Sequence, residues 1–254
     1  MDVQAPEQPA RITDIEYTLW DQQLMSAATR YFRWQSQLVR KEIGQRVVEV
    51  GCGIGNFTST LTDREIVSCT DSEEACVYRH RLRFSGFPNI QVCVLDVVDP
   101  AFRQLWVLRP DSVVCVNVLE HIQDDHEAMR NMQSILQPGG IVAVLVPAFP
   151  ALYGPIDHNL RHCRRYTQRR LLELAGAAGL RTKKMTYFNL VGFAGWWVNA
   201  NILARAEHSE TQIRIFDRYV VPIQSRIEGL VTPPFGQSIF AVFEKPTSRL
   251  ASAY

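Results

Sequence analysis

The chain has no surplus of charge of either sign: 27 Lys and Arg stand against 26 Asp and Glu, a formal +1 over 254 residues. A dedicated nucleic-acid binder carries a clear basic excess, so a nucleic-acid partner is not expected. None of the six cysteines forms a Cys-x-x-Cys pair. Cys69, Cys93 and Cys115 fall inside apolar runs, which predicts buried strand thiols and not a disulfide framework. His158, His162 and Cys163 lack a well-spaced partner set, so no metal is expected from spacing. The longest membrane-like stretch, 191–203, is too short for a span of roughly 20 residues. Residues 1–11 are polar and proline-bearing, without the apolar core of a secretory signal. Internal repeats and low-complexity tracts are also missing. These absences leave a reduced, cytoplasmic chain with no transmembrane segment.

What is present is the composition of a folded protein, 46% hydrophobic and 10% aromatic. The first 45 residues repeat apolar positions at helical spacing, as in Leu24, Ala27, Ala28, Tyr31 and Phe32. From Arg46 short β-rich runs alternate with helical ones. Strands are predicted at Arg46–Val50, Ile66–Thr70, Ile90–Leu95, Ser112–Val116 and Gly140–Pro147, with two more near Lys183–Phe188 and Ser238–Phe243. Asp71 or Ser72 can cap a helix over Glu73–Phe84, Asp124 or Asp125 one ending at Leu136, and Thr167 one over Gln168–Ala178. The expected fold is a doubly wound α/β architecture on a mostly parallel seven-stranded sheet. It carries an N-terminal helical cover (1–45), a core (46–188), a helical insertion (189–236) and a last strand with a tail (237–254), one domain overall.

The sharpest pattern is Val47-Val48-Glu49-Val50-Gly51-Cys52-Gly53-Ile54-Gly55-Asn56. An apolar strand runs into a glycine turn and then, on this reading, into a helix whose free N–H groups face an anion. Asp71 stands at the end of the next strand, where a carboxylate can hold ribose hydroxyls. A dinucleotide fingerprint requires a third glycine where this chain has Asn56, which disfavours a nicotinamide-dependent oxidoreductase.

The order Gly-x-Gly-x-Gly, with Glu49 two residues ahead, resembles motif I of class I S-adenosylmethionine-dependent methyltransferases. In that family the loop around Gly51, Cys52 and Gly53 wraps the methionine part of the cofactor, and the acidic residue anchors its amino group. The resemblance continues in order: Asp71, with Ser72 beside it, for the ribose; Asp96 and Val97 for the adenine; and Asn117 in Val116-Asn117-Val118-Leu119-Glu120-His121-Ile122 at the cofactor and substrate mouth. Leu136-Gln137-Pro138-Gly139-Gly140 matches the turn before strand five. S-Adenosyl-L-methionine is therefore the implied cofactor and a Rossmann-like sheet the implied fold.

Methyl transfer to a hydroxyl needs a base, and bases belong on the loops over strands four and five. Residues 153–167 resemble a segment of a small-molecule subgroup linked with saccharide or lipid-carrier glycosylation. His162 oriented by Asp157 is the first candidate base and His121 the second. Tyr153, His158, Arg165, Tyr166 and Trp197 are candidate substrate contacts. Arg161, Arg164, Arg165, Arg169 and Arg170 can either hold a substrate phosphate or carboxylate or form ordinary ion pairs. The stretch 191–203 can cover an apolar acceptor, form a homodimer contact or touch a membrane interface. The expected function is methylation, with oxygen preferred, of a small or lipid-linked metabolite. The alternatives are a nicotinamide-type oxidoreductase and a non-catalytic S-adenosylmethionine-binding partner protein.

Overall fold

The structure is a computed structural model that describes residues 14–198 and 209–247. Helices α1 (Asp14–Met25) and α2 (Thr29–Val39) precede β1 (Arg46–Val50), β2 (Ile66–Asp71), α3 (Glu74–Arg83), β3 (Ile90–Val94), β4 (Ser112–Val116), α4 (Asp125–Ile135) and β5 (Ile141–Pro147). The short α5 (Pro155–Asn159) leads to α6 (Gln168–Ala177) and β6 (Arg181–Phe188). Then come α7 (Leu190–Val198), α8 (Glu210–Ile215), α9 (Val221–Leu230) and β7 (Ser238–Glu244). The strands form one seven-stranded sheet in the order β3-β2-β1-β4-β5-β7-β6. β1 to β5 pair in parallel, whereas β7 runs antiparallel between β5 and β6. The order reverses between β1 and β4, so a crevice opens above the carboxyl ends of those two strands.

Every residue of β5 is buried, as expected of a central strand covered on both faces. One core layer packs β4, β5 and β7 against α4 and α6 through Met129, Met132, Leu171, Leu174 and Phe243. The opposite layer packs the sheet against α2 through Trp34, Val39, Phe188 and Phe240. Local signals set the helix starts. Asp124 accepts a hydrogen bond from the Glu127 N–H at 2.8 Å, and Thr167 Oγ1 accepts one from Arg170 N–H at 3.2 Å. Gly179, just past α6, takes the left-handed φ of 73° that ends a helix cleanly.

Three expectations are corrected. No α-helix follows the glycine turn; only a single 3-10 turn, Thr58–Thr60, forms there. Ser59 and Thr60 hydroxyls donate back to the Asn56 and Phe57 carbonyls at 2.7 and 2.8 Å, competing with helical bonding in a run of poor helix formers. Cys93 is exposed, because β3 is an edge strand with one uncovered face. Ahead of α3 neither Asp71 nor Ser72 is the cap; Glu73 holds that position, with its N–H donating to Asp71 Oδ1 at 3.0 Å.

Phe243 is wholly buried between the sheet and its helices. Phe243→Ala is expected to lower unfolding stability by about 3–5 kcal/mol in a urea titration. A loss below about 1 kcal/mol would place this layer outside the cooperative core.

Candidate active site

The glycine turn connects β1 to the 3-10 turn with Gly51, Gly53 and Gly55 all at positive φ. A Cβ on Gly51 would collide with Val118, and one on Gly53 with the Gln22 side chain. The turn is therefore drawn close to the β4 end on one side and to α1 on the other. Gln22 Oε1 accepts from Ile54 N–H at 2.9 Å, and Asn56 Nδ2 donates to the Gln22 carbonyl at 2.8 Å. Asp71, buried at the end of β2, accepts from Gly53 N–H at 2.7 Å and so fixes the turn from below. Burial pushes the Asp71 carboxyl above its usual range, while these N–H donors oppose the shift. Glu49 is also buried, and desolvation raises its carboxyl to about 7.

A cavity of about 880 Å³ runs upward from this turn. Its polar floor is made by Glu49, Asn117, Glu120, His121, His162 and Arg165. Its walls are the inner faces of α1 and α2 and apolar side chains of α7, α8 and residues 216–220, such as Val191, Trp196, Ile213 and Phe216. The N-terminal helices and the insertion before β7 thus close over one space.

On the floor, His162 Nδ1 lies 2.8 Å from Asp157 Oδ1, and Asp157 is completely buried. Asp157 also accepts from Arg165 Nε at 2.8 Å and from Gly154 N–H at 3.0 Å. Burial alone would raise this carboxyl, but His162 and Arg165 hold it below the usual range. With Asp157 ionised, Nδ1–H is the donor of this hydrogen bond. The His121 ring packs edge-on to His162 with centroids 4.7 Å apart. His121 stays exposed on the cavity side; packing around its ring, with like charge from His162 when protonated, lowers its pKa. Glu120 is buried with Oε2 lacking a hydrogen-bond partner, and burial raises its carboxyl to about 7. Glu120, His121 and His162 each bring a donor atom within 4.8 Å of the others, a set able to take a proton or hold a divalent cation. Cys52, Cys69 and His80 form a second such set, buried behind the glycine turn.

The expected site residues divide by position. Glu49, Gly51, Cys52, Gly53, Asn117, His121, His162 and Arg165 line the cavity. Asp71, Ser72, Asp96 and Val97 sit at the ends of β2 and β3 outside it; Asp96 and Ser72 are exposed, and Val97 is buried. Tyr166 is in the core, with its hydroxyl bonded to the Leu119 carbonyl at 3.0 Å and to Asp125 at 3.1 Å, and does not face the cavity. Tyr153, His158 and Trp197 are exposed away from the cavity. One residue round the helix from Trp197, Trp196 lies on the wall, with the Arg165 guanidinium 4.5 Å from its ring centroid. The arginine cluster is committed elsewhere. Arg164 and Arg170 pair with Asp125, Arg165 with Asp157, and Arg169 with Glu173, which favours ordinary ion pairing over a phosphate cradle.

Sequence spacing could not bring Gln22 and Tyr31 to the cavity, because they come from segments with no motif, whereas Trp196 lies in the stretch expected as a possible acceptor cover. Glu120 was within reach, since a carboxylate beside His121 at the end of an apolar strand is unusual as core.

Residues 21–200, about seven-tenths of the chain, match the family described as Methyltransferase domain. An uncharacterized methyltransferase of Mycobacterium tuberculosis is 27% identical over 119 residues, covering 45% of this chain and 56% of that protein. The ubiquinone biosynthesis O-methyltransferase of Leptothrix cholodnii is 24% identical over 143 residues, 54% of this chain and 61% of that one. The chain thus spans little more than half the length of these curated relatives. Among solved structures, geranyl diphosphate methyltransferase in complex with GPP and sinefungin superposes with a TM-score of 0.56 at 13% identity, covering 83% of this chain and 76% of that one. The sheet order, the glycine turn after β1 and the matched span agree, and the chain belongs to the methyltransferase-domain family.

Proposed function

We propose that the protein transfers a methyl group from S-adenosyl-L-methionine to an oxygen of a lipid-linked or otherwise apolar metabolite. The observation that carries this reading is the single cavity joining a cofactor-type glycine turn, a polar floor with an oriented histidine, and an apolar wall. The residues present fit the cofactor. Gly51, Cys52 and Gly53 line the cavity without bulky side chains to fill it, and Glu49 offers it a buried carboxylate for an ammonium group. Asp71 and Ser72 would hold ribose hydroxyls at the end of β2, and Asp96 and Val97 would flank the adenine. When bound, the cofactor supplies a methyl group on a sulfonium, already activated for in-line displacement.

The chain's own task is alignment and proton handling. His162 Nε2, with Nδ1–H held by Asp157, takes the proton of the acceptor hydroxyl. His121, kept neutral by its surroundings, shapes the floor without placing a second positive charge beside that base. The apolar wall excludes water and sorts acceptors by their hydrocarbon part. The O-methyltransferase relative supports oxygen as the target, and the neighbour solved with GPP supports an acceptor with a long apolar body. We place the protein in the cytoplasm, where its six unbridged thiols stay reduced.

Two measurements test this reading. Calorimetry with S-adenosylhomocysteine should show affinity falling as pH drops below about 7, by up to about tenfold per unit, because Glu49 must be ionised to hold the ligand's ammonium. Glu49→Gln should remove that slope, and a wild-type affinity flat from about pH 5.5 to 7.5 excludes Glu49 from the cofactor site. His162→Gln should lower kcat by about 10²–10⁴ while leaving cofactor affinity intact. An unchanged kcat excludes His162 as the base.

A further inference from the structure

From Glu210 to Leu230 the chain is one helical run: α8, a single π-helical stretch Phe216–Val220, and α9. Its inward side is mixed: beside Ile213, Phe216 and the buried Val221 it carries polar groups, with Asp217 accepting from Tyr31 N–H at 2.8 Å. Glu228 accepts from the Asn189 and Leu190 N–H groups at 3.0 and 2.8 Å and from Gln224 at 2.7 Å. The outward face carries Ile215, Tyr219, Ile223, Ile227 and Leu230, which are 52, 60, 64, 58 and 88% exposed. A surface helix that faced only water would present charged and polar side chains there, not a row of large apolar ones.

Two further observations identify what covers this face. Exposed Arg214, Arg218 and Arg226 flank the apolar ladder, and the one exposed acid on the run, Glu210, is paired with Arg214 at 2.7 Å. The ladder also reaches the cavity: Ile215, Val191 and Val198 are exposed and at the same time line it, so its mouth is rimmed by apolar side chains. A second copy packed by two-fold symmetry would set ladder on ladder and bring like-charged arginines together. An anionic bilayer satisfies both features, with apolar side chains in the acyl boundary and guanidinium groups among phosphates. We propose that this face docks on an anionic membrane surface and that the cavity takes its acceptor from the bilayer there, an inference that rests on the lipid-linked acceptor reading above.

The test uses the full chain in co-sedimentation with phosphatidylcholine vesicles, with and without phosphatidylglycerol. Binding is expected to require phosphatidylglycerol and to weaken as salt is raised. The pair Ile223→Asp and Ile227→Asp should lower partitioning by about tenfold or more per residue. The pair Ile223→Ser and Ile227→Ser should move it in the same direction by less. Neither residue lines the cavity, so S-adenosylhomocysteine affinity should be unchanged in both variants. Absence of vesicle binding, or binding untouched by the Asp pair, overturns the proposal. So does a wild-type dimer in sedimentation equilibrium that the Asp pair converts to monomer. Vesicle binding without cofactor binding would instead overturn the methyl-transfer reading and leave the docking face standing.

Discussion

The Asp157 carboxylate is the constraint on which the rest of the site depends. It is shut from water and satisfied by a guanidinium, an imidazole and a backbone N–H. Arg165 then carries the connection outward, to the Ala148 carbonyl just past β5 at 3.2 Å and to the face of Trp196 on α7. One buried charge pair therefore ties the post-β5 loop, the cavity floor and the insertion together. Breaking such a pair from one side strands a buried ion, which typically costs about 3–5 kcal/mol. Its main value is geometric: His162 has one orientation because Asp157 has no freedom to offer another.

The neighbouring carboxyls act in the opposite sense. Asp157, held below the usual range, stabilises the fold above the ordinary carboxylate pKa, and that contribution is lost as pH falls through its depressed value. Glu49 and Glu120, raised to about 7 by burial, stabilise the fold most when protonated, and that contribution is lost as pH rises towards 7. Near neutrality each costs about 3 kcal/mol at most relative to an ordinary carboxyl. Such groups persist where binding needs them, which sets the site's chemistry against the stability of its own scaffold.

Much of the scaffold was legible in the residues, because strand apolarity, glycine punctuation and helix caps are local properties. Strands Arg46–Val50 and Ser112–Val116 agree with the structure to the residue, and the others within two. The turn after Gly55 was misread because a helix is the common sequel to such a loop, whereas Ser59 and Thr60 favour their own backbone carbonyls. The loop 153–167 was harder. Its residue types fit a binding site, yet Tyr166 turns into the core while Arg165 faces the cavity, a choice decided by the pairing of Ala148 with Tyr166 across the sheet end. The outward ladder was equally hidden: its apolar period looks like any core helix until the inward partners of Asp217 and Glu228 are seen.

The π-helical stretch Phe216–Val220 bears on that ladder in another way. Side chains four apart on an ordinary helix drift by about 40° per step, so a long four-residue ladder would wind off its face. One wider turn takes back part of that drift and keeps Ile215 in line with Ile223 and Ile227. The segment is therefore constrained in length as well as in composition. A substitution there alters one contact, whereas losing a single residue would rotate everything on one side of it and turn a polar row outward.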